Sequence, residues 1–343
     1  MSPGLKIGLL GAAAIAPSAL INPARQVSGV TVTAVAARDR TRAEKFARKH
    51  DIPVVHADYE TLLADPQVDA VYVPLPNSLH AEWTLKALQA GKHVLCEKPM
   101  TANRDEAERV AKAADAAFAR SGLVVMEAFH YRHHPLAARM LEIANSGELG
   151  ELHRVEAEVC FPLPRFSDIR YDYALAGGAA MDAGCYAVHA VRLLAGSDPT
   201  VTTAQMLTLR KDRRVDRAMT AELTFPGGVT GRVRASMWSR RVLSIRARAI
   251  GSAGELRVTN FVMPQLYHQL TVRASHDGGR VVRRERLPRQ PSSYVCQLAA
   301  FTSAVRDGGP VITSSADAVA NMGVLDEIYR SCGLPLRGER KGR

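Results

Sequence analysis

The first 130 residues alternate short apolar runs with amphipathic segments. The apolar runs, rich in β-branched and aliphatic side chains, are typical of buried strands and cover residues 6–10, 30–36, 68–73, 93–96 and 123–126. Helical periodicity appears between them, at residues 41–49, 59–64, 78–90 and 105–119. Gly91 follows the third of these segments and Asn103 precedes the fourth, as suits a helix end and a helix start. Strands that alternate with helices of this length predict a doubly wound parallel sheet.

After about residue 128 the pattern changes to long runs in which apolar and polar residues alternate. These runs predict strands at residues 152–161, 201–209, 218–225, 228–238, 243–251, 254–260, 270–274 and 280–286. Helices are predicted at residues 178–195, 294–306 and 316–330, the first of them packed on the sheet. The pattern indicates an α+β region built on a large, mainly antiparallel open sheet with one face covered. The tail from Arg337 to Arg343 is basic and is expected to be frayed.

The length of the chain indicates two domains, and its composition is typical of a globular protein. A chain of 343 residues favours two domains, residues 1–127 and 128–343. Residues 7–21 are apolar enough to imitate a signal peptide, but Gly8 and Gly11 interrupt them and only Lys6 precedes them. We therefore expect a cytoplasmic protein that does not enter a membrane. The five cysteines form no C-x-x-C pair, so neither a disulfide framework nor a zinc site is indicated.

The net charge of +11 raises the question of nucleic-acid binding. The excess arginines lie at residues 210–217, 240–241 and 283–289, in strand-like runs that alternate with apolar residues. A nucleic-acid site would instead show one basic stripe with interleaved aromatic residues. We therefore expect no nucleic-acid partner, and assign part of the positive field to an anionic cofactor or substrate.

A turn of small residues follows the first predicted strand. Residues 11–16 read G-A-A-A-I-A, and small side chains at a strand–helix junction let backbone amides and a helix N-terminus approach a pyrophosphate. The turn predicts dinucleotide contacts at Gly11, Ala13, Ala14 and Ile15. Ala13 stands where the usual fingerprint has a second glycine.

The end of the second predicted strand bears on the choice of cofactor. A carboxylate there binds the 2′-hydroxyl of NAD, whereas an arginine accommodates the 2′-phosphate of NADP. Here Arg38 follows the strand and Arg42 lies one turn later, with Asp39 between them. We expect NADP(H) to be favoured over NAD(H). The alternative is that both arginines form a solvated surface with Asp39 and Glu44.

Three segments carry a family resemblance. They are residues 74–80 (P-L-P-N-S-L-H), 90–99 (A-G-K-H-V-L-C-E-K-P) and 177–189 (G-G-A-A-M-D-A-G-C-Y-A-V-H). Together they resemble the glucose–fructose oxidoreductase, inositol dehydrogenase and rhizopine-catabolism (Gfo/Idh/MocA) family. The likeness extends over nearly the whole chain and is closest to the dihydrodiol dehydrogenase, xylose dehydrogenase and sugar ketoreductase branch. It implies a Rossmann domain at residues 1–127 and a substrate-binding and oligomerisation domain at residues 128–343.

The resemblance also implies catalytic roles. Lys98 would lie at the nicotinamide pocket, with Pro99 in a cis peptide bond, and Tyr186 would be the proton donor or acceptor. Asp182 lies one helical turn before Tyr186, so both would face the same side. A tyrosine of pKa near 10 is a poor base at neutral pH, and an adjacent ammonium such as that of Lys98 would favour its phenolate. The same ammonium would stabilise the oxyanion.

Further residues follow from the same likeness. The cofactor would also contact a group near the E-K-P string and its preceding loop: Pro74, Asn77, His80 and Glu97. Asn77 could instead cap the helix that it opens. Apart from the likeness, we expect Tyr131 and Arg132 to line the substrate cleft. Asp168 and Arg170, in the loop before the predicted catalytic helix, could bind substrate hydroxyls, but they are equally consistent with a surface salt-bridge loop. His130, His133 and His134 have a spacing that suggests a metal. We expect no metal there, because Pro135 breaks a regular helix at this point and no fitting carboxylate is present.

These residues predict NADP-dependent oxidation of a sugar-like hydroxyl group, or the reverse reduction. An aldose, keto-sugar, cyclitol or dihydrodiol would fit. Two alternatives stay open: an NAD-retaining glycosidase, and a non-catalytic nucleotide-sensing protein on the same fold. The apolar alternation of the second-domain strands indicates that an exposed sheet face needs cover, which predicts a homodimer or homotetramer.

Overall fold

The protein, described here by a computed structural model over residues 4–276 and 279–338, forms two compact units. The first takes the described residues of Met1–His130 together with Tyr294–Val319. The second takes those of Tyr131–Ser293 together with Ala320–Arg343. Neither unit is therefore continuous in sequence.

The first unit is built on a six-stranded parallel sheet, which confirms the predicted Rossmann-type architecture. Its strands are β1 (Leu5–Leu10), β2 (Val30–Ala36), β3 (Val54–Val55), β4 (Ala70–Val73), β5 (His93–Cys96) and β6 (Val125–Glu127). Their order in the sheet is β3-β2-β1-β4-β5-β6, and each neighbouring pair is parallel. The two-residue strand β3 was not predicted, because it is too short to carry a periodic signal.

Helices connect these strands, and the amphipathic segments predicted each of them except the first. They are α1 (Asn22–Ala24, preceded by a π turn at Pro17–Ile21), α2 (Arg40–His50), α3 (Tyr59–Leu63), α4 (Asn77–Gln89) and α5 (Arg104–Ser121). The Asn103 side chain accepts a hydrogen bond from the Glu106 N–H at 2.9 Å and so caps α5, as predicted. Gly91 follows α4 with φ +74°, a left-handed conformation that glycine adopts without strain.

The second unit is built on an eight-stranded sheet in the order β14-β13-β12-β11-β7-β10-β9-β8. Only the β7–β10 pair is parallel, which confirms the mainly antiparallel prediction. Its strands are β7 (Leu152–Cys160), β8 (Thr200–Thr208), β9 (Asp216–Thr224), β10 (Thr230–Ser236), β11 (Ser244–Gly251), β12 (Gly254–Thr259), β13 (Gln269–His276) and β14 (Gly279–Glu285). Among the described residues, the remaining α-helices are α6 (Pro135–Asn145), α7 (Cys185–Ala195), α8 (Ser293–Asp307) and α9 (Ser315–Ser331).

Helix α6 was missed because its proline was interpreted only as a helix breaker. Pro135 occupies the first helical position, where its missing N–H costs nothing and its fixed φ suits the helix. Leu136, Met140 and Ile143 then repeat at intervals of four and three residues, and all are buried.

One face of the second sheet is packed and the other is charged. Helix α7 packs against β7, β10 and β11. On the opposite face Glu156 accepts hydrogen bonds from Arg154 and Arg248, each at 2.7 Å, and Arg248 also pairs with Glu255 at 2.7 Å. The prediction of an apolar surface in need of cover is therefore wrong for this face. Its alternate positions carry arginine and glutamate, which satisfy one another across the strands.

The expectation that the chain frays from Arg337 is also wrong at its first residue. The Arg337 side chain is fully buried in the second unit. Gly338 is the last described residue, and residues 339–343 of that tail lie outside the described residues. Among the described helices, none is both long and apolar enough to span a membrane.

Glu285 offers a test of packing within the second unit. Hydrogen bonds from Arg139 and Arg283 lower its pKa to about 2. A carboxylate with a lowered folded-state pKa stabilises the fold fully above its unfolded pKa, near 4.3, and loses that contribution as the pH falls toward 2. We expect Glu285→Gln to lower the unfolding free energy by about 1–2 kcal/mol at pH 7, after discounting for solvent screening. Most of this difference should vanish by pH 2.5.

Thermal unfolding of both proteins across this pH range, followed by circular dichroism, measures the effect. The matched control is Glu142→Gln, since Glu142 pairs with the same Arg139 but is largely exposed. A loss for Glu285→Gln that is equally large at pH 7 and pH 2.5 would contradict the electrostatic origin.

Candidate active site

The loops that follow the parallel strands bring the predicted cofactor residues to one edge of the first unit. Gly11 follows β1, Arg38 follows β2, Pro74 follows β4 and Glu97 follows β5. Strands β1 and β4 are neighbours, although β2 and β3 lie between them in sequence, so the strand order reverses there. Ligands of doubly wound sheets bind at the carboxyl edge beside such a reversal.

Gly11 forms the turn at this edge. Its φ is +106°, and a Cβ added to it would lie 3.1 Å from Leu75 Cδ2 in the loop after β4. Glycine is required here both for the backbone angle and for the close approach of the two loops. Ala13 is half-buried, while Ala14 and Ile15 are exposed at this edge.

Ala13 departs from the usual glycine without backbone strain. Among the described residues, the non-glycine positions with positive φ are Asp51, Ala176 and Asn260, and Ala13 is not one of them. Its methyl group therefore adds bulk at the turn but requires no unfavourable backbone angle.

The end of β2 places positive charge beside the turn. The Arg42 guanidinium donates a hydrogen bond from Nη2 to the Ala12 carbonyl at 2.8 Å, and Arg38 is exposed. Asp39 is the N-cap of α2, where its carboxylate accepts from the Arg42 N–H at 3.2 Å. The carboxylate at this strand end is thus engaged in capping the helix.

Tyr59 belongs to the same edge, although no sequence motif singled it out. Its hydroxyl lies 3.8 Å from the position of a Cβ built on Gly11. Burial raises the pKa of Tyr59, while a hydrogen bond to the Arg38 backbone and the charges of Arg38 and Arg42 act to lower it. The phenol is therefore a neutral polar group beside both arginines at physiological pH.

His80 joins the loops after β4 and β5. It is buried in α4, with Nδ1 2.8 Å from the Pro99 carbonyl oxygen and Nε2 2.7 Å from the Leu75 carbonyl oxygen. Burial lowers the pKa of His80 to about 4, although both carbonyls act to raise it. A neutral ring donates through only one of its two nitrogens, so only the protonated ring could donate to both oxygens. His80 fixes the backbone next to Lys98, and the Lys98–Pro99 peptide bond is cis, as the family resemblance implied.

Glu97 is held from β4 and contacts the backbone of Lys98. The Tyr72 hydroxyl donates to Glu97 Oε1 at 2.6 Å, and the Lys98 N–H lies 3.3 Å from Oε2. Lys98 itself is half-buried. Asn77 opens α4 with Pro76 as the N-cap residue, so Asn77 lies inside the first turn rather than at the cap.

In the second unit, Asp182 and Tyr186 lie at the start of one helix. Asp182 is within a π turn at Ala180–Gly184, and Tyr186 is the second residue of α7, which continues from that turn. Single π turns inserted in α-helices are frequent at functional sites. The sequence predicted the helix but not the π turn, whose backbone bonds leave no periodic signature.

Arg170 connects Asp182 to the loop before the helix. Its Nε lies 3.0 Å from Asp182 Oδ2, and its Nη1 lies 3.2 Å from Asp168 Oδ1. The Arg170 side chain is 46% exposed. The structure therefore brings three predicted residues together as an ion-paired loop, and that loop reaches the predicted catalytic helix.

Tyr131 packs beside Tyr186 and contacts a residue that the sequence reasoning did not assign. The rings of Tyr131 and Tyr186 are 6.0 Å apart, and the Tyr131 hydroxyl lies 2.5 Å from His189 Nδ1. All three side chains are buried. His189 follows Tyr186 by three residues on α7, and this spacing could have identified it.

The three histidines after β6 have different surroundings. The His130 ring packs on Tyr294 at 4.1 Å, and His134 caps α6 by accepting from the Leu136 N–H at 3.1 Å. Burial lowers the pKa of His133 to about 4, and the charge of half-buried Arg132 lowers it further. Within residues 4–276 and 279–338, no group of three or more His, Cys, Asp and Glu side chains is placed to hold a metal ion.

Comparison with known protein families assigns both parts of the chain. Residues 5–126 match the Gfo/Idh/MocA oxidoreductase family, NAD-binding Rossmann fold. Residues 137–257 match the Gfo/Idh/MocA C-terminal domain. The family resemblance expected from the three sequence segments is confirmed.

Individual relatives cover between two thirds of the chain and almost all of it. NADP(+)-dependent D-xylose 1-dehydrogenase 2 of Haloferax volcanii is 39% identical over 328 residues, 95% of this chain and 97% of that protein. The trans-1,2-dihydrobenzene-1,2-diol dehydrogenase of Macaca fascicularis is 35% identical over 229 residues, 67% of this chain and 66% of that protein. A 3-ketoreductase from Actinomadura kijaniata, solved with NADP and TDP-benzene, superposes with a TM-score of 0.83 and 31% identity, over 96% of this chain and 98% of that one.

Proposed function

Because the chain belongs to the Gfo/Idh/MocA family of NAD(P)-dependent oxidoreductases, we propose that it transfers a hydride between NADP(H) and a sugar-like molecule. The observation that carries the proposal is the collection of Gly11, Arg38 and Lys98 at the carboxyl edge of the Rossmann sheet. The reacting group is a hydroxyl or carbonyl of an aldose, keto-sugar, cyclitol or dihydrodiol. The names of the relatives, which include a xylose dehydrogenase and a dihydrodiol dehydrogenase, support this choice.

The residues at the sheet edge fit a dinucleotide. The space at Gly11, which a Cβ would fill, allows a pyrophosphate to approach the backbone amides through Ile15. Pro74 in the loop after β4, with Asn77 and His80 in the first turn of α4, would lie on the opposite side, at the nicotinamide end. When bound, the nicotinamide accepts or supplies the hydride.

The preference for NADP over NAD rests on the charges after β2. Arg38 and Arg42 supply positive charge for a 2′-phosphate. Asp39, the carboxylate that could have bound a 2′-hydroxyl, is engaged as the cap of α2. The binding site therefore favours the anionic group.

Proton transfer is assigned to Tyr186, assisted by Lys98. In the oxidation direction Tyr186 takes the proton of the substrate hydroxyl, and in the reduction direction it returns that proton to the oxygen. The positive charge of Lys98 stabilises the developing alkoxide and favours the phenolate form of Tyr186. Asp182 orients the substrate together with its partner Arg170, while Tyr131, Arg132 and Asp168 complete the substrate side.

We expect Lys98→Met and Tyr186→Phe each to lower kcat by about 10²–10⁴-fold, because each removes a group used in proton transfer or charge stabilisation. The measurement is nicotinamide absorbance with NADP and NAD offered separately against aldoses, keto-sugars, cyclitols and dihydrodiols. Matched controls are Lys49→Met in the last turn of α2 and Tyr267→Phe, which is exposed in the second unit. If the two residues act on the same step, the double variant loses less than the product of the single losses.

Absence of turnover by the unaltered protein with every pair, despite tight nucleotide binding, would overturn the proposal. A glycosidase that retains its cofactor would then show bond cleavage without net change in nicotinamide absorbance. A nucleotide sensor would show neither cleavage nor turnover.

Cofactor preference is tested with Arg38→Ala. We expect kcat/KM for NADP to fall by about 10–100-fold, because a charge-assisted hydrogen bond to phosphate is lost, while kcat/KM for NAD changes little. Arg40→Ala is the matched control, since Arg40 is the next arginine along the chain and pairs with Glu44 at 3.1 Å. Equal losses with both cofactors would contradict the role of Arg38.

The charged face of the second sheet is proposed as the contact between copies of the chain in a homodimer or homotetramer. A face of interleaved arginine and glutamate is self-complementary under two-fold symmetry. We expect light scattering to give two or four chains per particle in 50 mM salt and a lower mass in 1 M salt, because salt screens the pairs. A single chain per particle in 50 mM salt would contradict the proposal.

A further inference from the structure

A fully buried ion pair lies in the second unit, outside the proposed catalytic groups. Arg337 Nη2 is 2.8 Å from Asp216 Oδ1, and both side chains are 0% exposed. Asp216 is the first residue of β9, and Arg337 follows α9 near the end of the described chain. A buried ion pair costs desolvation and is poor grounds by itself for assigning stability, so its contacts must show what it holds in place.

Both members of the pair bind the backbone at the start of the catalytic helix. The second oxygen of Asp216, Oδ2, accepts a hydrogen bond from the Ala180 N–H at 2.7 Å. Arg337 Nε donates to the Gly177 carbonyl at 2.6 Å. Ala180 is the first residue of the π turn that contains Asp182 and leads into α7. The ion pair therefore holds the backbone through two hydrogen bonds, one at Gly177 just before the π turn and one at Ala180 where the turn begins.

Gly178 lies between these two contacts, and the space beside it is filled by the ion pair. Its φ is +141°, and an added Cβ would lie 2.2 Å from Asp216 Oδ1 and 3.0 Å from Arg337 Nη2. Any side chain at this position would displace the ion pair. The glycine at position 178 therefore has a physical reason that belongs to this contact.

Aromatic residues fix the arginine. The Arg337 guanidinium lies 4.2 Å from the centre of the Tyr329 ring and 5.1 Å from that of Tyr173. The Tyr329 hydroxyl donates to Asp216 Oδ1 at 2.9 Å, and the Tyr173 hydroxyl donates to the Leu336 carbonyl at 2.8 Å. Burial raises the pKa of Tyr329 well above its usual value, so the phenol remains a donor. The guanidinium has little freedom to move.

We propose that Arg337 and Asp216 are positioning residues that set the start of the catalytic helix, and through it Asp182 and Tyr186, for hydride transfer. The inference rests on the proposed function. Neither residue takes part in the chemistry. A displacement of about 1 Å in a reacting group can cost about 10²-fold in rate, so a fixed helix start has a direct effect on kcat.

The test compares Arg337→Met, Arg337→Lys and Asp216→Asn with the unaltered full-length protein. We expect Arg337→Met to lower kcat at least tenfold after normalisation to the folded fraction measured by circular dichroism. Arg337→Lys should lose less, because it keeps the charge beside Asp216 but not the fork that also reaches Gly177. Asp216→Asn keeps the size and one acceptor oxygen, and serves if Arg337→Met does not fold.

The matched control is Arg139→Met, which breaks the ion pair with Glu285 elsewhere in the same unit. Amide hydrogen exchange should become faster across residues 179–186 in the Arg337 and Asp216 variants but not in the control. With a substrate deuterated at the reacting carbon, a slowed hydride step gives an isotope effect on kcat at least as large as in the unaltered protein. A normalised kcat within twofold of the unaltered protein, or a loss matched by Arg139→Met, would overturn the inference.

This design separates the inference from the proposed function. If the unaltered protein turns over no substrate, the proposed function fails, but hydrogen exchange across residues 179–186 still tests the positioning. Unchanged exchange there in all three variants would overturn the positioning role in that case. Faster exchange confined to those residues would support it.

Discussion

Hydrogen bonding between six parallel strands is the constraint on which the cofactor site depends. In a parallel sheet every carboxyl end lies at the same edge, so loops far apart in sequence meet there. Gly11, Arg38, Pro74 and Lys98 come from four such loops. No contact among these residues has to be encoded locally, because the sheet order gathers them. The close approach of Gly11 to Leu75 shows how tightly the loops on either side of the reversal are joined.

The second unit places its chemistry by a different principle. Its two predicted catalytic groups, Asp182 and Tyr186, lie at the start of one helix, so the position of that helix start decides where they point. Asp216 and Arg337 reach this start from a strand and from the end of the chain, and they bind backbone rather than side chain. Backbone contacts fix position whatever side chains the turn carries, which leaves Asp182 free to pair with Arg170. The residues that position the start of the helix are therefore different from the residues that would carry out proton transfer.

Each prediction that failed rested on a local sequence pattern that is compatible with two different structures. Proline breaks a helix in its interior but favours its first position, and the position of Pro135 is known only once α6 exists. An arginine near a chain end is normally solvated, but Arg337 is buried because it contacts two aromatic rings and a carboxylate. Alternation along a strand predicts two unlike faces, but it did not reveal that arginine and glutamate pair across β7 and β11.

The sequence alone determined the two architectures, the small-residue turn, the helix caps at Asn103 and Gly91, and the motifs that indicated the family. These are set by short-range periodicity and by residue types whose backbone preferences act within a few positions. Tertiary structure alone decided that Tyr59 joins the turn at Gly11 and that Arg337 is buried against Asp216. Both contacts link residues that are distant in the chain, and burial and pairing there depend on which elements meet.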